Sequence, residues 1–292
     1  MRCDLHVHTI HSGMCTVPVL NRICRESYND PHEVYDLLKR RGMDLVTVTD
    51  HDSIDAAEAL RRHPDFFLSE EVSVTLPSGR HLHVGVYDIE ERDHLQLQRR
   101  RDDFPSFLAY LDERRLLFSV NHAFSGLTGR RTATDFEDFA AFFPAVETLN
   151  GAMLAAANSH ARAMASAFRK TAIGGSDGHT LDHLGRTFTQ VHGARTPREF
   201  LAGLKNGAST VHGESGDYAK LTRAVWKIGF SMMRERPWTT ALLPLAALVP
   251  LVTFVNLLQE IAFAHRWGRA LTDVAATGVA AREVSPAVYG VD

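Results

Sequence analysis

Asp4-Leu5-His6-Val7-His8-Thr9 ends the first predicted strand, residues 1–9, and decides how the rest of the chain is interpreted. Because alternate residues of a strand point to the same face, His6 and His8 project together while the apolar residues between them face the packed side. Two imidazoles on one face are able to hold a metal ion. Surface strands also carry such pairs without a metal, so the pair gains meaning only from the motifs that follow it.

Polar motifs stand on the later predicted strands or just beyond their ends. In parallel α/β folds these ends meet at one edge or mouth of the sheet, where the side chains that perform chemistry converge. A polar loop after one strand would be ordinary, whereas a series of them indicates a shared site. The motifs are Asp50-His51-Asp52, Glu70-Glu71-Val72-Ser73, His81-Leu82-His83, Asn121-His122-Ala123 and Ser176-Asp177-Gly178-His179.

Short β-branched runs alternate with helix-like stretches up to about residue 215. This pattern predicts an α/β fold, with a parallel sheet or barrel and helices packed outside it. The predicted strands are residues 1–9, 44–49, 66–75, 81–87, 116–120, 145–149, 171–174 and 188–191. The predicted helices are residues 31–41, 93–114, 152–168 and 197–206.

The composition of the 292-residue chain, 45% hydrophobic and 23% charged, is typical of a packed globule. It excludes collagen-like, disulfide-scaffold and wholly disordered proteins. A net charge of -3 gives no global basic field for nucleic acid, although a local basic groove remains open. Cys3, Cys15 and Cys24 are odd in number, and the N-terminus has no signal pattern. We therefore expect reduced thiols and a cytoplasmic catalytic domain.

The motifs DLHVHT, TDHD, EVS with HVG, NHA and GSDGHT occur in the order found in the polymerase and histidinol phosphatase (PHP) family, which the chain resembles over residues 1–215. The resemblance implies a metal-dependent phosphoesterase with a PHP-type distorted (β/α)7 barrel. It also implies two or three divalent metal ions, Mn²⁺, Zn²⁺ or Fe²⁺, at the C-terminal mouth of the barrel. The chain has 16 histidines, and metal ligation is the expected use of those that cluster beside carboxylates.

The resemblance implies eight metal ligands, shared among three ions: His6, His8, Glu71 and Asp177 for the first, Glu71 as a bridge with His83 and His122 for the second, and His51 and His179 for the third. Glu71 is preferred to Glu70 because it leads the EVS triplet, and adjacent strand residues point to opposite faces. His83 is preferred to His81 because it leads the HVG run.

Two further positions bear on this scheme. Many relatives supply an Asp or His for the third ion a few residues after the HxH pair, whereas this chain reads Thr9-Ile10-His11-Ser12-Gly13-Met14-Cys15. His11 and Cys15 are the candidates to replace that ligand. Glu147 ends another predicted strand, at a place where the family often has an acidic residue that orients its neighbours.

Bound divalent ions lower the pKa of water and clamp the oxygens of a phosphoryl group, so the resemblance predicts hydrolysis of phosphate esters. The expected catalytic groups are a metal-bound water, Asp177 and His179. Arg130, Arg131 and Arg186 are candidates to bind the phosphate oxygens of the substrate, although each is as readily a solvated loop residue. The expected substrate is a small phosphomonoester, a nucleotide or a histidinol-phosphate-like compound, with nucleic acid as a further candidate.

A PHP fold can also be kept by a catalytically degraded, metal-binding regulatory or scaffold module. The two interpretations differ in whether the ligand positions are filled. Here the core positions all carry ligating residue types, which favours the enzyme: His6, His8, His51, Glu71, His122, Asp177 and His179.

Residues 216–267 are predicted to form a helical extension whose apolar segment, residues 239–259, has 21 residues without a charge. As a helix this segment would be about 30 Å long, enough for the hydrocarbon core of a bilayer. Prolines and an asparagine inside it oppose insertion. Two interpretations stay open: a membrane anchor, or short Pro-broken helices packed on the barrel or in a dimer interface. Residues 268–292 are predicted to form a polar, flexible tail.

Overall fold

A computed structural model of the chain describes residues 1–276, and side chains as far as Arg269. Most of the polar tail predicted for residues 268–292 therefore lies outside the described residues. The strands are β1 (Arg2–Cys3), β2 (Ser69–Thr75), β3 (His81–Tyr87), β4 (Leu117–Val120), β5 (Ala145–Asn150), β6 (Thr171–Gly175), β7 (Phe188–Val191) and β8 (Ser209–His212). The α-helices are α1 (Pro31–Arg40), α2 (Ala57–Leu60), α3 (Glu91–Arg100), α4 (Phe104–Glu113), α5 (Ala133–Phe142), α6 (Ala155–Ala167), α7 (Pro197–Lys205), α8 (Tyr218–Glu235) and α9 (Val249–Ala276). Three 3-10 helices lie at Ile10–Ser12, Leu20–Arg22 and Pro237–Leu248.

The paired strands of the described chain form two sheets, and a closed seven-stranded barrel is not found among them. The larger sheet has the order β2-β3-β4-β5-β6, with β2, β3 and β4 antiparallel and β4, β5 and β6 parallel. The smaller sheet, β1-β7-β8, is antiparallel. A short turn around Gly79 joins β2 to β3 and forces them antiparallel, whereas α5 and α6 provide the crossovers that parallel neighbours need. The predicted mixture of strands and helices, an α/β fold, is confirmed.

The first predicted strand is regular only over β1, and the segment after it is extended without a ladder. Side chains take the place of ladder bonds there, because the Asp50 carboxylate accepts from both the backbone N–H and the hydroxyl of Thr9 at 2.6 Å. The strand predicted over residues 44–49 is likewise an extended segment, and Thr49 N–H donates to Val7 O at 2.8 Å. The two segments that carry the first two motifs therefore lie side by side.

The helix predicted over residues 93–114 is two helices, α3 and α4. Pro105 lies in the first turn of α4, where the Asp103 carboxylate caps the helix by accepting from Ser106 N at 3.2 Å. Proline lacks a backbone N–H and disfavours a helical residue before it, so it begins a helix here rather than continuing one. The other predicted helices match α1, α6 and α7 to within a few residues, while β8 was not predicted.

An aromatic core lies between the larger sheet and the helices that cover it. It contains the buried rings of Phe104, Phe107, Phe118, Phe136, Phe139 and Phe143. Trp267 of α9 joins this core, with its ring centroid 5.4 Å from that of Phe136. Burial of such large rings dominates the packing free energy. The later part of α9 is therefore packed as part of the core.

The C-terminal extension, from α8 through the third 3-10 helix to α9, folds back on itself. The hydroxyls of Thr222 and Thr253 are 2.8 Å apart, and the Tyr218 hydroxyl donates to Pro250 O at 2.8 Å. Within the described residues, one helical stretch, residues 237–269, is long and apolar enough to cross a membrane, with a mean hydropathy of 2.2 and 6% of that window buried. The extension thus combines a packed end with a largely exposed apolar stretch.

Candidate metal centre

The structure brings all eight side chains that the motifs singled out to one site. They come from the extended segments at residues 4–9 and 44–51, from β2 and β3, and from the loops that follow β4 and β6. Some members are shared between groups, so the whole is one continuous cluster. The ligand atoms within each group lie within 4.8 Å of one another, and the groups are His6, His8 and Asp177; His6, Glu71 and His122; His51, Glu71 and His83; and His8, His51 and His179.

Glu71 lies at the centre of this cluster and is fully buried. Its Oε2 is 3.2 Å from both His6 Nε2 and His51 Nδ1, and its Oε1 is 3.2 Å from His122 Nε2. Burial alone would raise the pKa of this carboxyl, but the imidazoles of His6 and His83 hold that pKa well below its usual range. Glu71 is therefore a charged carboxylate in contact with histidines from several segments.

Glu70 and His81, the neighbours that the motifs also offered, lie outside these groups. Glu70 Oε2 is 2.8 Å from His94 Nδ1 and accepts from Gln98 Nε2 at 3.1 Å, so this carboxylate ties β2 to α3. His81 is exposed at the beginning of β3. The alternation of side chains along β2 thus separates the two glutamates, and the length of β3 separates His81 from the cluster.

Asp177 closes the cluster on the side of β6. Its Oδ1 is 3.3 Å from His8 Nε2 and 3.5 Å from His6 Nε2. The residue has a left-handed backbone, with φ of 50°, and its N–H donates to His6 O at 2.8 Å. A Cβ on Gly175 would collide with the backbone of His6, so this glycine allows β6 to approach the extended segment. The close approach is what brings Asp177 to the two histidines.

His6 lies among three carboxylates. Its Nε2 is near Glu71 and Asp177, and its Nδ1 is 2.7 Å from Glu147 Oε1. Burial would lower the pKa of His6, but the three carboxylates outweigh burial and hold that pKa well above its usual value. The site therefore favours positive charge at this point, as a site for a divalent cation must.

Hydrogen-bond acceptors at the Nδ1 atoms, on the side of each ring that faces away from the cluster, orient His6 and His8. Glu147 holds His6 Nδ1, and Ser12 Oγ lies 2.9 Å from His8 Nδ1 while its hydroxyl donates to Asp50 Oδ1 at 2.6 Å. Such partners fix the orientation of an imidazole and leave its other nitrogen free for a metal. Both histidines of the HxH pair therefore present Nε2 to the cluster.

The ligating side chains of the cluster have the chemistry that divalent metal ions need. Burial lowers the pKa of His8 and His83 to about 4, so these rings are neutral at pH 7 and offer a lone pair. A buried polar atom without a partner costs free energy, which a metal would recover. Neutral imidazoles and carboxylates suit zinc, iron(II) and manganese. The buried ring nitrogens that lack a hydrogen-bond partner in the described chain are His8 Nε2, His51 Nδ1, His83 Nδ1 and His122 Nδ1.

Glu26 stands where His11 or Cys15 was the candidate. Its Oε2 is 3.5 Å from His51 Nε2, and its Oε1 is 3.8 Å from His179 Nε2. Neither His11 nor Cys15 belongs to the grouped side chains of the described residues. Burial raises the pKa of Glu26 to about 6, which marks it as a carboxyl held in the site rather than in solvent.

Sequence reasoning missed Glu26 because it lies in a loop without strand periodicity. Its backbone N–H donates to Gly13 O at 3.1 Å, which folds that loop back toward the site. The signal that could have found it is that Glu26 is the first acidic residue after the HxH pair. Asn121 and Asn150 were also missed, and they donate to Glu71 at 2.9 Å and to Asp177 at 3.0 Å. Both amides orient carboxylates of the cluster.

The three arginines predicted to bind phosphate have other positions. Arg131 is buried and donates to His81 O at 2.7 Å. Arg186 lies 3.6 Å from Glu214 Oε1, and Arg130 is exposed. Within the described chain these guanidinium groups contact none of the eight clustered side chains, because Arg131 is used by the fold and Arg186 by a surface ion pair.

A family model described as PHP-associated matches residues 155–209. These residues include α6, β6 and the loop with Asp177 and His179. The match confirms the resemblance to the PHP family that the motifs indicated. No curated protein matches the chain significantly.

Several solved structures resemble the chain in fold. PsfC from Pseudomonas syringae PB-5123 is 17% identical, with a TM-score of 0.54, over 80% of this chain and 98% of that one. A protein from Bifidobacterium adolescentis assigned as a metal-dependent phosphoesterase is 12% identical, with a TM-score of 0.44, over 61% and 88%. The lesion-specific endonuclease PfuEndoQ from Pyrococcus furiosus is 17% identical, with a TM-score of 0.47, over 72% and 58%. At these identities the likeness concerns the fold alone.

Proposed function

We propose that the chain is a metal-dependent phosphoesterase that hydrolyses small phosphate esters at this cluster. The observation that carries the proposal is the charged, buried Glu71, which contacts histidines of several segments as a carboxylate shared between ions would. The family match over residues 155–209 supports it. A degraded module would have lost ligating side chains, whereas this cluster keeps them all.

The proposal assigns the donors to three ions: His6, His8 and Asp177 with Glu71 for the first, Glu71 with His83 and His122 for the second, and His51, His179 and Glu26 for the third. Mn²⁺, Zn²⁺ or Fe²⁺ bound there would supply the charge that neutralises a phosphoryl group and lowers the pKa of water to about 7. The shared carboxylate and the neutral rings are matched to that task because they combine a strong negative charge with available lone pairs.

The side chains of the protein fix the geometry of the reaction. Asn150 donates to Asp177 Oδ2 at 3.0 Å, which leaves Oδ1 facing His6 and His8. His179 is 22% exposed, and its Nδ1 lies 3.1 Å from Asp177 O. Asp177 and His179 are thus held at the open side of the cluster, where they meet the substrate.

Metal analysis combined with a substrate panel tests this function. The full chain is purified, and release of phosphate is measured from phosphomonoesters, nucleotides, histidinol phosphate and an oligonucleotide, with Mn²⁺, Zn²⁺ or Fe²⁺ added. The proposal expects at least two bound ions and metal-dependent release from at least one small ester. Bound ions without hydrolysis of any ester would favour the regulatory or scaffold module. Hydrolysis by a metal-free preparation would overturn the metal assignment.

We also propose that the protein associates with membranes, with its catalytic domain in the cytoplasm. Arg234 and Arg236 precede the exposed apolar surface that would contact the membrane. Basic residues beside an apolar surface favour binding to anionic lipids. Farther along α9, Glu260 accepts from Gly126 N at 3.1 Å and Trp267 is buried, so an interfacial position fits the packing better than a span. The apolar surface is formed by the exposed side chains of Trp238, Leu245, Leu248, Leu251, Val252 and Leu258.

Flotation with vesicles tests the membrane proposal. The full chain is expected to float with phosphatidylglycerol-containing vesicles, and a Leu251→Glu, Val252→Glu variant is expected to remain at the bottom of the gradient. Leu95→Glu is the control, because Leu95 is an equally exposed leucine on α3. A wild-type chain that stays at the bottom and sediments as a dimer would instead assign the apolar surface to contacts between copies of the chain.

A further inference from the structure

A pocket of about 210 Å³ opens beside the metal centre, between the α/β domain and the C-terminal extension. Glu26, Asp177 and His179 line its inner end, so it is continuous with the cluster. The rest of its wall is largely apolar. Its apolar side chains include Met153, Leu154, Leu221, Ala224, Ile228 and Leu257. Its polar side chains, which contribute the smaller exposed area, are Ser125, His183, Asp217, Lys220, Asn256 and Glu260.

We propose that this pocket holds the alcohol portion of the substrate, and that the substrate is a phosphate ester of an apolar alcohol. The inference rests on the proposed phosphoesterase function and adds the class of its substrate. Ligand sites are mostly apolar, with a few placed polar groups that fix orientation. Here the polar groups stand at the metal end and the apolar side chains stand beyond it, which matches an ester with a phosphate at one end and hydrocarbon at the other.

The walls of the pocket are held in place by hydrogen bonds between the segments that form it. The hydroxyls of Thr222 and Thr253 join α8 to α9, and Arg25 Nε donates to Glu235 Oε1 at 2.8 Å between the first loop and α8. Glu260 accepts from Gly126 N on the side of α9. Because these bonds hold the helices in place, the pocket is preformed, and little free energy is lost in ordering it around a substrate.

Lys220, which lines the pocket together with His183, already has partners. Lys220 Nζ donates to Ser215 O at 2.7 Å and lies 2.9 Å from Glu214 Oε1. The predicted phosphate-binding arginines make their contacts elsewhere, as described above. A nucleotide or sugar phosphate would place many of its hydroxyl and charged groups against the apolar side chains that make up most of the exposed wall, and those groups would lose hydrogen bonds to water. The pocket thus favours hydrocarbon over these alternatives.

The apolar wall continues onto the protein surface. Leu257 lines the pocket, and the next residue, Leu258, is half exposed on the apolar surface of the extension. On α8, Val225 lines the pocket and is also 36% exposed. An alcohol longer than the pocket would therefore continue along leucine and valine side chains rather than enter bulk water. Such an ester reaches the site from solution or from a bilayer.

A series of linear alkyl phosphates from ethyl to octyl, hydrolysed by the full chain with Mn²⁺, tests the inference. We expect kcat/KM to rise with chain length, by at least tenfold over the series. Hydrolysis of all esters at one rate would overturn the apolar pocket while leaving the phosphoesterase standing. Failure to hydrolyse any ester, including those of the wider panel, would overturn the phosphoesterase itself. The two failures are therefore distinguishable.

Two matched variants, each of which replaces an alanine by tryptophan, test whether the dependence of kcat/KM on chain length comes from the pocket. Ala224→Trp fills the pocket and is expected to lower the octyl-to-ethyl ratio of kcat/KM at least tenfold, whereas Ala219→Trp, an exposed position on the same helix, keeps the ratio. Equal effects of both would contradict the pocket. If Ala224→Trp does not fold, Ala224→Met takes its place. A second readout is binding of octylphosphonate, which is expected to be at least tenfold tighter than binding of ethylphosphonate by calorimetry. Equal affinities would overturn the proposal.

The physical form in which the ester is supplied distinguishes a soluble substrate from one that resides in a bilayer. Dodecyl phosphate is offered at submicellar concentration and, in parallel, within phosphatidylcholine vesicles. Faster hydrolysis in vesicles assigns the substrate to a bilayer, and faster hydrolysis in solution assigns it to a soluble ester. Either result supports an apolar alcohol, and the absence of hydrolysis in both forms, when ethyl phosphate is hydrolysed, overturns it.

Discussion

The metal centre and the C-terminal extension both depart from the usual distribution of side chains between the interior and the surface, but they do so in opposite ways. Soluble proteins bury apolar side chains and expose charged ones. The metal centre buries Glu71, Asp177 and a ring of histidines, whereas the extension exposes tryptophan, leucine and valine side chains. Each inversion costs free energy in the isolated chain. The proposed ligands, cations in one region and hydrocarbon in the other, would offset both costs.

The two regions also differ in how they are held. Several clustered side chains are held by a hydrogen-bond partner on the side away from the cluster, such as Glu147 for His6 and Ser12 for His8. The extension is attached at separate points, among them Arg25 with Glu235, Gly126 with Glu260, and the aromatic contact of Trp267. The centre is therefore rigid by hydrogen bonding, and the extension by a few contacts that mutation can remove singly.

The largest effect is expected from Glu71→Gln. Loss of the central carboxylate charge removes the attraction for the ions and should lower phosphate release by orders of magnitude, measured together with bound metal. Glu70→Gln is the control, since Glu70 contacts His94 and Gln98 instead. If Glu70→Gln abolished activity and Glu71→Gln did not, the side chains of β2 would have been assigned to the wrong faces.

Two tryptophans allow the packed end of the extension to be compared with its exposed apolar surface. Trp267 is 8% exposed and Trp238 is 63% exposed, so the same substitution tests the packed end and the apolar surface. Trp267→Ala is expected to lower the free energy of unfolding by about 3–5 kcal/mol, because it empties part of the aromatic core. Trp238→Ala should change it by about 0.5 kcal/mol or less. Equal, small losses in denaturant titrations would show that α9 is not attached to the core.

Glu147→Gln tests whether the groups behind the rings matter. The substitution keeps a hydrogen-bond acceptor at 2.7 Å from His6 Nδ1 but removes one of the three charges around that ring. Metal affinity is expected to weaken by about 10–100-fold, as found for partners of metal-bound histidines. Metal titration by calorimetry measures it. An unchanged affinity would mean that Glu147 holds the loop through His122 N rather than tuning the site.

Much of the cluster was predictable because each ligand follows a strand or lies on one. The pairing of His6 and His8 depends only on the two-residue period of a strand, whereas the choice of Glu71 over Glu70 also needed the EVS triplet of the family resemblance. The division of the strands into two sheets could not be predicted, since side chains such as Asp50 replace ladder bonds and a short turn makes β2 and β3 antiparallel. Neither feature leaves a periodic signal.

The extension could be predicted only in outline. A run of uncharged residues is compatible with a membrane anchor and with a packed helix, because both need apolar side chains. What separates them is which residues of α9 meet the core, and Trp267 and Ala264 do so through contacts distant in sequence. The pocket beside the metal centre was invisible for the same reason, since its wall joins Met153 to Leu257.

The smallest effect is expected from Glu26→Gln, at the edge of the cluster. Its oxygens lie 3.5 and 3.8 Å from His51 and His179, farther than the 3.2 Å that separates Glu71 from its three nearest histidines. We expect one fewer bound ion per chain and a fall in phosphate release of about tenfold, at the low end of the range for lost metal partners. His11→Ala and Cys15→Ser are the controls and should keep the full metal content. Loss of an ion in Cys15→Ser but not in Glu26→Gln would return the third position to the cysteine, because a thiolate that binds metal cannot be replaced by a hydroxyl without weakening the site.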